Sequence, residues 1–497
     1  MLQLEPSLLP PLLPLFFPSH PDFSEDILLN GTSAMPVLNH EMVVGGTSFR
    51  GFVDVPVCCP SRTSTLAGRY SHNLDNTVEG WCGNFNTMHE GHTWIKDLKD
   101  AGYQTGLFGK YYNGYSDFCG AKVHVPADWS YIHAMCNDNK YFGNAFNVNG
   151  TMQTVADDVY LTNVIGNSSL AWLSALVAKD PNAPFFAYIA PHAPHVPATP
   201  AHEYENAPLP VGQELAPRTP NWDKAPSDHH WLVAEKAPLT PALVNYSDSL
   251  HARRLRSTMS VDDVVSAVFD FLRANSLLEN TYVIYSADHG YNLGTFRLPS
   301  GKFNAYENNI RVPFFVAGGG VAAGAVLDNV LVNNVDIGPT LLDLAGVKAT
   351  DPLDGTSFAS QLTLAGRKEA EATATWTRDR LVFEYWGLGY TERGPCKNGT
   401  SPCPGGPEAL VDAPSNSWSG LRIVNATHDI VYAEYRPDST TPLLVENTNF
   451  TVAFNMSEDP WQLKNLAVGN GGFSKAVLSQ LSNELWQIAT CSQSVCP

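Results

Sequence analysis

The chain has 497 residues, 44% hydrophobic and 16% charged, enough to bury a large core and to divide into about two domains. A formal net charge of −19 argues against a nucleic-acid partner and against an anionic membrane surface, because both would be repelled at long range; an anionic ligand has to be met by a local basic pocket. No apolar run approaches the length of a membrane span, the longest candidate, residues 8–17, being interrupted by Pro10, Pro11 and Pro14.

Residues 1–25 are rich in proline and leucine, lack a helical or strand period, and read as an irregular N-terminal segment. They make a poor signal peptide, since Glu5 stands where a basic region belongs and prolines break the apolar stretch. Cysteine usage and glycosylation sequons point the other way. Setting Cys58 aside leaves eight cysteines, with close pairs at Cys119/Cys136, Cys396/Cys403 and Cys491/Cys496. Spacing alone does not fix their pairing. Acceptor sequons begin at Asn30, Asn149, Asn167, Asn245, Asn398, Asn425, Asn449 and Asn455. The expectation is the secretory route (extracellular, cell wall or lysosome-like); with so poor a signal peptide, either targeting information lies outside this sequence or the route is a different one.

At Cys58-Cys59-Pro60-Ser61-Arg62 a cysteine falls where a helix begins, because Pro60 suits a first helical turn and residues 63–66 can continue it. Free N–H groups at a helix start attract an anion, and Arg62 and Arg69, a turn-multiple apart and so on one helical face, add positive charge nearby. Thr93 can cap a helix ending at Gly102, and residues 103–108 read as a buried strand running into Lys110. The same unit recurs: a helix over 170–177, then a buried strand over 184–190 ending in Pro191-His192-Ala193-Pro194-His195. Histidines at the C-terminal edge of such a strand are candidates, because α/β sheets place their ligand crevice there. Residues 205–245 read as a long surface insertion. Ser260 can cap a helix with Val261, Val264, Val265, Val268 and Leu272 on one face, and a strand over 282–286 delivers Ala287-Asp288-His289-Gly290, where a carboxylate beside a tight turn can project at a hard cation. Lys302 precedes a strand over 312–316. Residues 365–380 read as a linker; strands over 381–385, 420–424 and 430–435 and a helix over 477–488 follow.

The stretch from Cys58 to Arg69 resembles the sulfatase signature Cys-x-Pro-Ser-Arg-x-x-x-Leu-x-Gly-Arg, with every fixed position filled. Gly102-Tyr103-Gln104-Thr105 with Gly109-Lys110 resembles the second sulfatase signature, although Tyr111-Tyr112-Asn113 departs from the Trp-His that follows it in many members. In detail the chain looks closest to the arylsulfatase and N-acetylglucosamine-6-sulfatase branch. The resemblance implies an alkaline-phosphatase-like α/β fold: a large mixed sheet with helices on both faces over residues 26–370, and a small C-terminal α+β domain with an antiparallel sheet over 371–497.

It also implies a sulfuric ester hydrolase acting on aryl or carbohydrate sulfates. Cys58, oxidised by a formylglycine-generating enzyme, would supply the formylglycine nucleophile. Arg62, Lys110 and Lys302 would hold the sulfate charge, and His192 would be the catalytic histidine. His195 and Arg69 would bind substrate, and Asp288 and His289, with residue 58, would ligate Ca²⁺ or Mg²⁺. Sulfatases also take two aspartates from the end of their first strand. The matching register puts Phe23 and Ser24 there, with Asp22, Glu25 and Asp26 nearby but out of step, so the expectation is a weakened metal site and a native strand and aspartate pair not represented in this sequence. Two rivals stay open: a phosphatase or phosphodiesterase of the same superfold, against which Cys58 speaks, and a catalytically impaired binding protein.

Overall fold

Strands that are apolar on both faces must be covered on both, and two of them show how the body is built. On β7 (Phe185–Ala190) Phe186 and Tyr188 face one core while Phe185, Ala187 and Ile189 face another; on β8 (Tyr282–Ser286) Ile284 faces the first and Val283 and Tyr285 the second. In this computed structural model the described residues are 12–16, 34–74, 82, 85, 89–119, 123–136, 140–364, 376–387, 412–438, 440, 447–492 and 496.

One sheet runs β1 (Leu12–Phe16), β8, β10 (Phe315–Gly318), β2 (Thr47–Phe52), β11 (Ala325–Asn333), with β9 (Arg311–Val312) also on β2. The other runs β6 (Thr151–Thr154), β5 (Ala145–Val148), β4 (Tyr131–Met135), β3 (Gln104–Gly109), β7. β1 is parallel to β8 and lies alongside β7, so the two sheets form one mixed layer. One face is covered by α2 (Trp94–Asp100) and α5 (Ile337–Ala345), through Trp94, Leu98 and Leu341. The other is covered by α3 (Leu161–Lys179) and α4 (Pro241–Ala274), through Ile165, Leu173, Val264 and Val268. By length and composition alone α3 could cross a membrane, but its buried side packs on the sheet and on α4.

A second, antiparallel sheet follows: β12 (Arg380–Tyr385), β13 (Ser417–Val424), β14 (Asp429–Arg436) and β15 (Phe450–Asn455). One side packs against Phe52, Phe296 and Tyr306 of the large body, and the other is covered by Leu481 and Leu485 of α6 (Lys475–Ile488).

Three expectations change. Residues 12–16, expected to be irregular, form β1; it hydrogen-bonds to β8 on one side only, and a strand so placed tolerates the N–H that Pro14 lacks. The helix expected to start at Ser260 starts twenty residues earlier, where Thr240 accepts from Leu243 N–H at 3.3 Å and Pro241 occupies the first position, leaving Ser260 buried mid-helix. The strand expected over 312–316 is broken into β9 and β10.

The two sheets meet at a buried polar seam. Glu384 on β12 accepts from the His72 backbone N–H at 3.0 Å and from Nδ1 at 2.9 Å, while His72 Nε2 donates to the Cys491 carbonyl at 2.8 Å. Both ring nitrogens therefore carry protons. Burial pulls His72 down, but the Glu384 charge and these hydrogen bonds outweigh it and raise its pKa to about 9. Nearby, burial raises Asp54 to about 7, partly offset by hydrogen bonds from Ser64 and Asn334. Both groups hold protons in the fold that the unfolded chain gives up, so the His72 contribution is fully present below the unfolded value of 6.5 and is lost as pH rises through about 9. Asp54 acts in the same direction between 3.8 and about 7. The thermal midpoint should therefore fall as pH rises from 6.5 to 9, and Glu384→Gln should flatten that slope. A midpoint that is constant or rises over this range would contradict the assignment.

Candidate active site

The site is built where the sheet's parallel strands end. α1 (Cys58–Ala67) opens from an extended Val57, so Cys58 lies at the first helical position and Pro60 in the first turn. Lys110 follows β3, His192 and His195 follow β7, and Asp288 and His289 follow β8. Lys302 enters on the loop between β8 and β9.

Around Cys58 the spacing is tight. Lys302 Nζ donates to the Cys58 sulfur at 2.5 Å and lies 2.8 Å from His289 Nε2, which is itself 3.4 Å from the sulfur. His195 also hydrogen-bonds Cys58. His289 donates Nδ1–H to the Gly290 carbonyl at 2.8 Å, which fixes the ring with Nε2 facing the sulfur. Arg62, wholly buried, donates to the Tyr111 carbonyl at 2.7 Å, to Asp288 Oδ2 at 2.7 Å and to Asn113 Oδ1 at 2.5 Å. His192 is buried against Tyr141 and His195, and neither ring nitrogen has a hydrogen-bond partner among the described residues.

Electrostatics follow from this crowding. Burial pushes the Cys58 thiol up, but Lys302, His289 and the His195 hydrogen bond outweigh it and hold the group well below the usual thiol range. His192 is held well below the ordinary imidazole value by burial first, then by the charge of Lys110 and by His195. Burial and Lys110 lower His195 in the same way. Arg62, Lys110 and Lys302 are all buried, and their charges bear on Cys58, His192 or His195.

Cys58 is the free cysteine among the described residues, whereas its neighbour Cys59 is disulfide-bonded to Cys82. Cys119 pairs with Cys136 and Cys491 with Cys496; Cys396 and Cys403 lie outside the described residues.

The structure does not bring Arg69 to this cluster. Gly68, at φ +65°, ends α1, and the Arg69 guanidinium turns to the Asn73 carbonyl at 2.7 Å, at the opposite end of the helix from Cys58. The spacing from Arg62 to Arg69 suggested one helical face, but the helix stops before the second arginine. His195, from the end of β7, hydrogen-bonds residue 58. Asn113, which the sequence marked only as a departure, anchors Arg62.

For a metal, the ligand atoms of Cys58, Asp288 and His289 lie within 4.8 Å of one another. Among the described residues this is one carboxylate and one imidazole, which suits one side of a hard cation that takes about six oxygen ligands. β1 ends at Phe16, opposite Ser286 and two residues short of Asp288. Phe23, Ser24 and the nearby Asp22, Glu25 and Asp26 lie outside the described residues.

The sulfatase family profile matches residues 23–347. N-acetylglucosamine-6-sulfatase of Bos taurus is 33% identical over 470 residues, covering 91% of this chain and 79% of that protein. Arylsulfatase of Volvox carteri is 28% identical over 459 residues, 84% of this chain and 65% of the other. A solved structure in complex with its substrate D-glucosamine-2-N,6-O-disulfate superposes with a TM-score of 0.70 at 18% identity, covering 96% of each chain. The chain belongs to the sulfatase family. It is a sulfatase, a hydrolase with the alkaline-phosphatase-like fold that its motifs implied.

Replacing Arg62 by methionine leaves Asp288 buried without its cation. Chemical denaturation of Arg62→Met should show a loss of about 3–5 kcal/mol. A change within about 0.5 kcal/mol, the range of an ordinary surface substitution, would mean that the pair is not buried as described.

Proposed function

We propose that the enzyme removes sulfate from carbohydrate monoesters, with aryl sulfates as simpler surrogates, through a formylglycine made from Cys58. One observation carries this reading: the single unpaired, buried cysteine among the described residues stands at a helix start within reach of Lys302, His289 and His195, while its neighbour is locked in a disulfide. A structural cysteine needs no such company, but a nucleophile for an anionic ester does.

The sulfur marks where the aldehyde hydrate would stand. One hydrate oxygen gives up its proton to the neutral His195 ring and forms a bond to the sulfate sulfur as the S–O bond to the sugar breaks. The departing alkoxide takes a proton from Lys302, or from His192 once the bound sulfate's charge has offset the burial and Lys110 charge that keep its free ring neutral. Arg62, Lys110 and Lys302 offset the charge on the sulfate oxygens as it is transferred. The second hydroxyl then loses its proton to the group that protonated the alkoxide, the carbon–oxygen bond to sulfate breaks with sulfate leaving, and the aldehyde is restored for rehydration. Asp288 and His289 would hold Ca²⁺ or Mg²⁺, which when bound polarises oxygens at residue 58 and on the sulfate. His195, already hydrogen-bonded to residue 58, would orient it.

The secretory route fits the same reading. Three disulfides are formed among the described residues, and the sequon asparagines Asn149, Asn167, Asn245, Asn425 and Asn449 are exposed. A formylglycine-generating enzyme met on that route would be the maturation partner.

Peptide mass spectrometry of secreted protein should find an aldehyde at residue 58, and Cys58→Ala should abolish release of sulfate from N-acetylglucosamine 6-sulfate and from an aryl sulfate. Active protein with an unmodified thiol at this position would overturn the proposal. Chelator treatment should lower turnover and added Ca²⁺ or Mg²⁺ should restore it, readily because the described ligands are few; turnover indifferent to the chelator would remove the metal from the mechanism.

A further inference from the structure

Lys302 reaches residue 58 from a loop that is poorly placed to hold itself. Between β8 and β9 the backbone passes through the left-handed region at three residues other than glycine: Phe296 at φ +53°, Arg297 at +61° and Phe303 at +86°. Phe303 directly follows the lysine. A bulky side chain there is strained and persists only where neighbouring structure fixes it from several sides.

Two clamps do so. From within the large body, Asn309 Oδ1 accepts the Asn304 backbone N–H at 3.0 Å, and Asn304 Nδ2 donates to the Lys302 carbonyl at 3.3 Å. From the C-terminal sheet, Asn416 Nδ2 donates to the Phe303 carbonyl at 3.0 Å and Trp418 Nε1 donates to the same oxygen at 3.3 Å. Asn416 is 1% exposed, and the same amide nitrogen donates to Asp412 Oδ1 at 3.2 Å, so its donor is aimed rather than free to turn. The Phe303 ring lies on Tyr385 of β12 at 5.5 Å between centroids.

We propose that Asn416, with Trp418 in support, is a positioning residue for Lys302: the C-terminal sheet sets where the lysine amine stands by gripping the carbonyl of the next residue. This rests on the role given to Lys302 above. Neither residue touches the reacting atoms, so the action runs through the backbone of the loop. A displacement near 1 Å at a catalytic group can cost about 100-fold, far more than two peripheral hydrogen bonds would suggest.

The test is a double-mutant cycle on the full-length enzyme, read as sulfate release from N-acetylglucosamine 6-sulfate or an aryl sulfate, with cooperative unfolding as the check on folding. In Asn416→Leu, kcat should fall about 10- to 100-fold with KM within about twofold of the parent. In a Lys302→Ala background the same change should cost nothing further, because there is no amine left to position. If Asn416→Leu does not fold, Trp418→Phe, which removes one donor and keeps the ring, carries the cycle with a smaller fall. Losses that multiply across the two sites would show that Asn416 acts independently of Lys302 and overturn the proposal, as would unchanged kcat in both variants. A Lys302→Ala enzyme with full kcat would instead defeat the reading of Lys302, and the positioning role with it.

Discussion

A guanidinium with no access to water is stable only if its donors are taken up, and Arg62 meets that condition by reaching three parts of the chain at once. Its partners are the backbone just after β3, the Asn113 side chain beyond it, and Asp288 at the end of β8. The start of α1 is thereby tied to two strand ends that are distant in sequence. The same tie orients Asp288: with Oδ2 engaged by Arg62, Oδ1 is the oxygen on the His289 side, 3.5 Å from Nε2. The geometry around residue 58 depends on this one pair, since the helix start, the carboxylate and the histidine move together or not at all.

Charge is segregated along α1. Its N-terminal end, the positive end of the helix dipole, faces Arg62, Lys110 and Lys302, while the buried carboxylates Asp54, Asp354 and Glu384 gather around its C-terminal end with His72 and Asn73. Ten residues of helix put about 15 Å between the two groups. A strongly acidic protein can in this way keep positive charge at one end of a helix: apart from Asp288, which Arg62 neutralises, the buried carboxylates named here gather at the other end, and burial raises Asp54 among them to about 7.

Much of the site was legible because its residues are local to their strand ends. Lys110, His192, Asp288 and His289 each follow a buried apolar run, and such a run fixes both a strand and the edge at which it stops. What depended on where a helix begins or ends was read less well. Arg69 was placed with Arg62 because a seven-residue step returns to the same helical face, but Gly68 takes the left-handed cap and turns the chain away. Ser260 was read as a cap because it precedes a clean apolar period, yet Pro241 supplied the stronger start. Strand β1 was missed for the opposite reason: three prolines hid a five-residue strand that neighbouring strands stabilise. The disulfide from Cys59 to Cys82 left Cys58 free, an outcome that an even count of the remaining cysteines allowed without identifying the partners.

The contribution of the C-terminal sheet was not legible at all, and the reason is physical. Asn416 and Trp418 act on a carbonyl more than a hundred residues away, and nothing in their own neighbourhood distinguishes them from an ordinary strand beginning. The loop they grip also has poor local preferences: aromatic and cationic side chains at positive φ, separated by prolines and glycines. Local sequence preference and final structure disagree there because contacts from a second domain supply what the segment lacks. Such disagreement is expected where a side chain is held for chemistry rather than for stability. The loop carrying Lys302 is thus hydrogen-bonded both from the large body and from the C-terminal sheet.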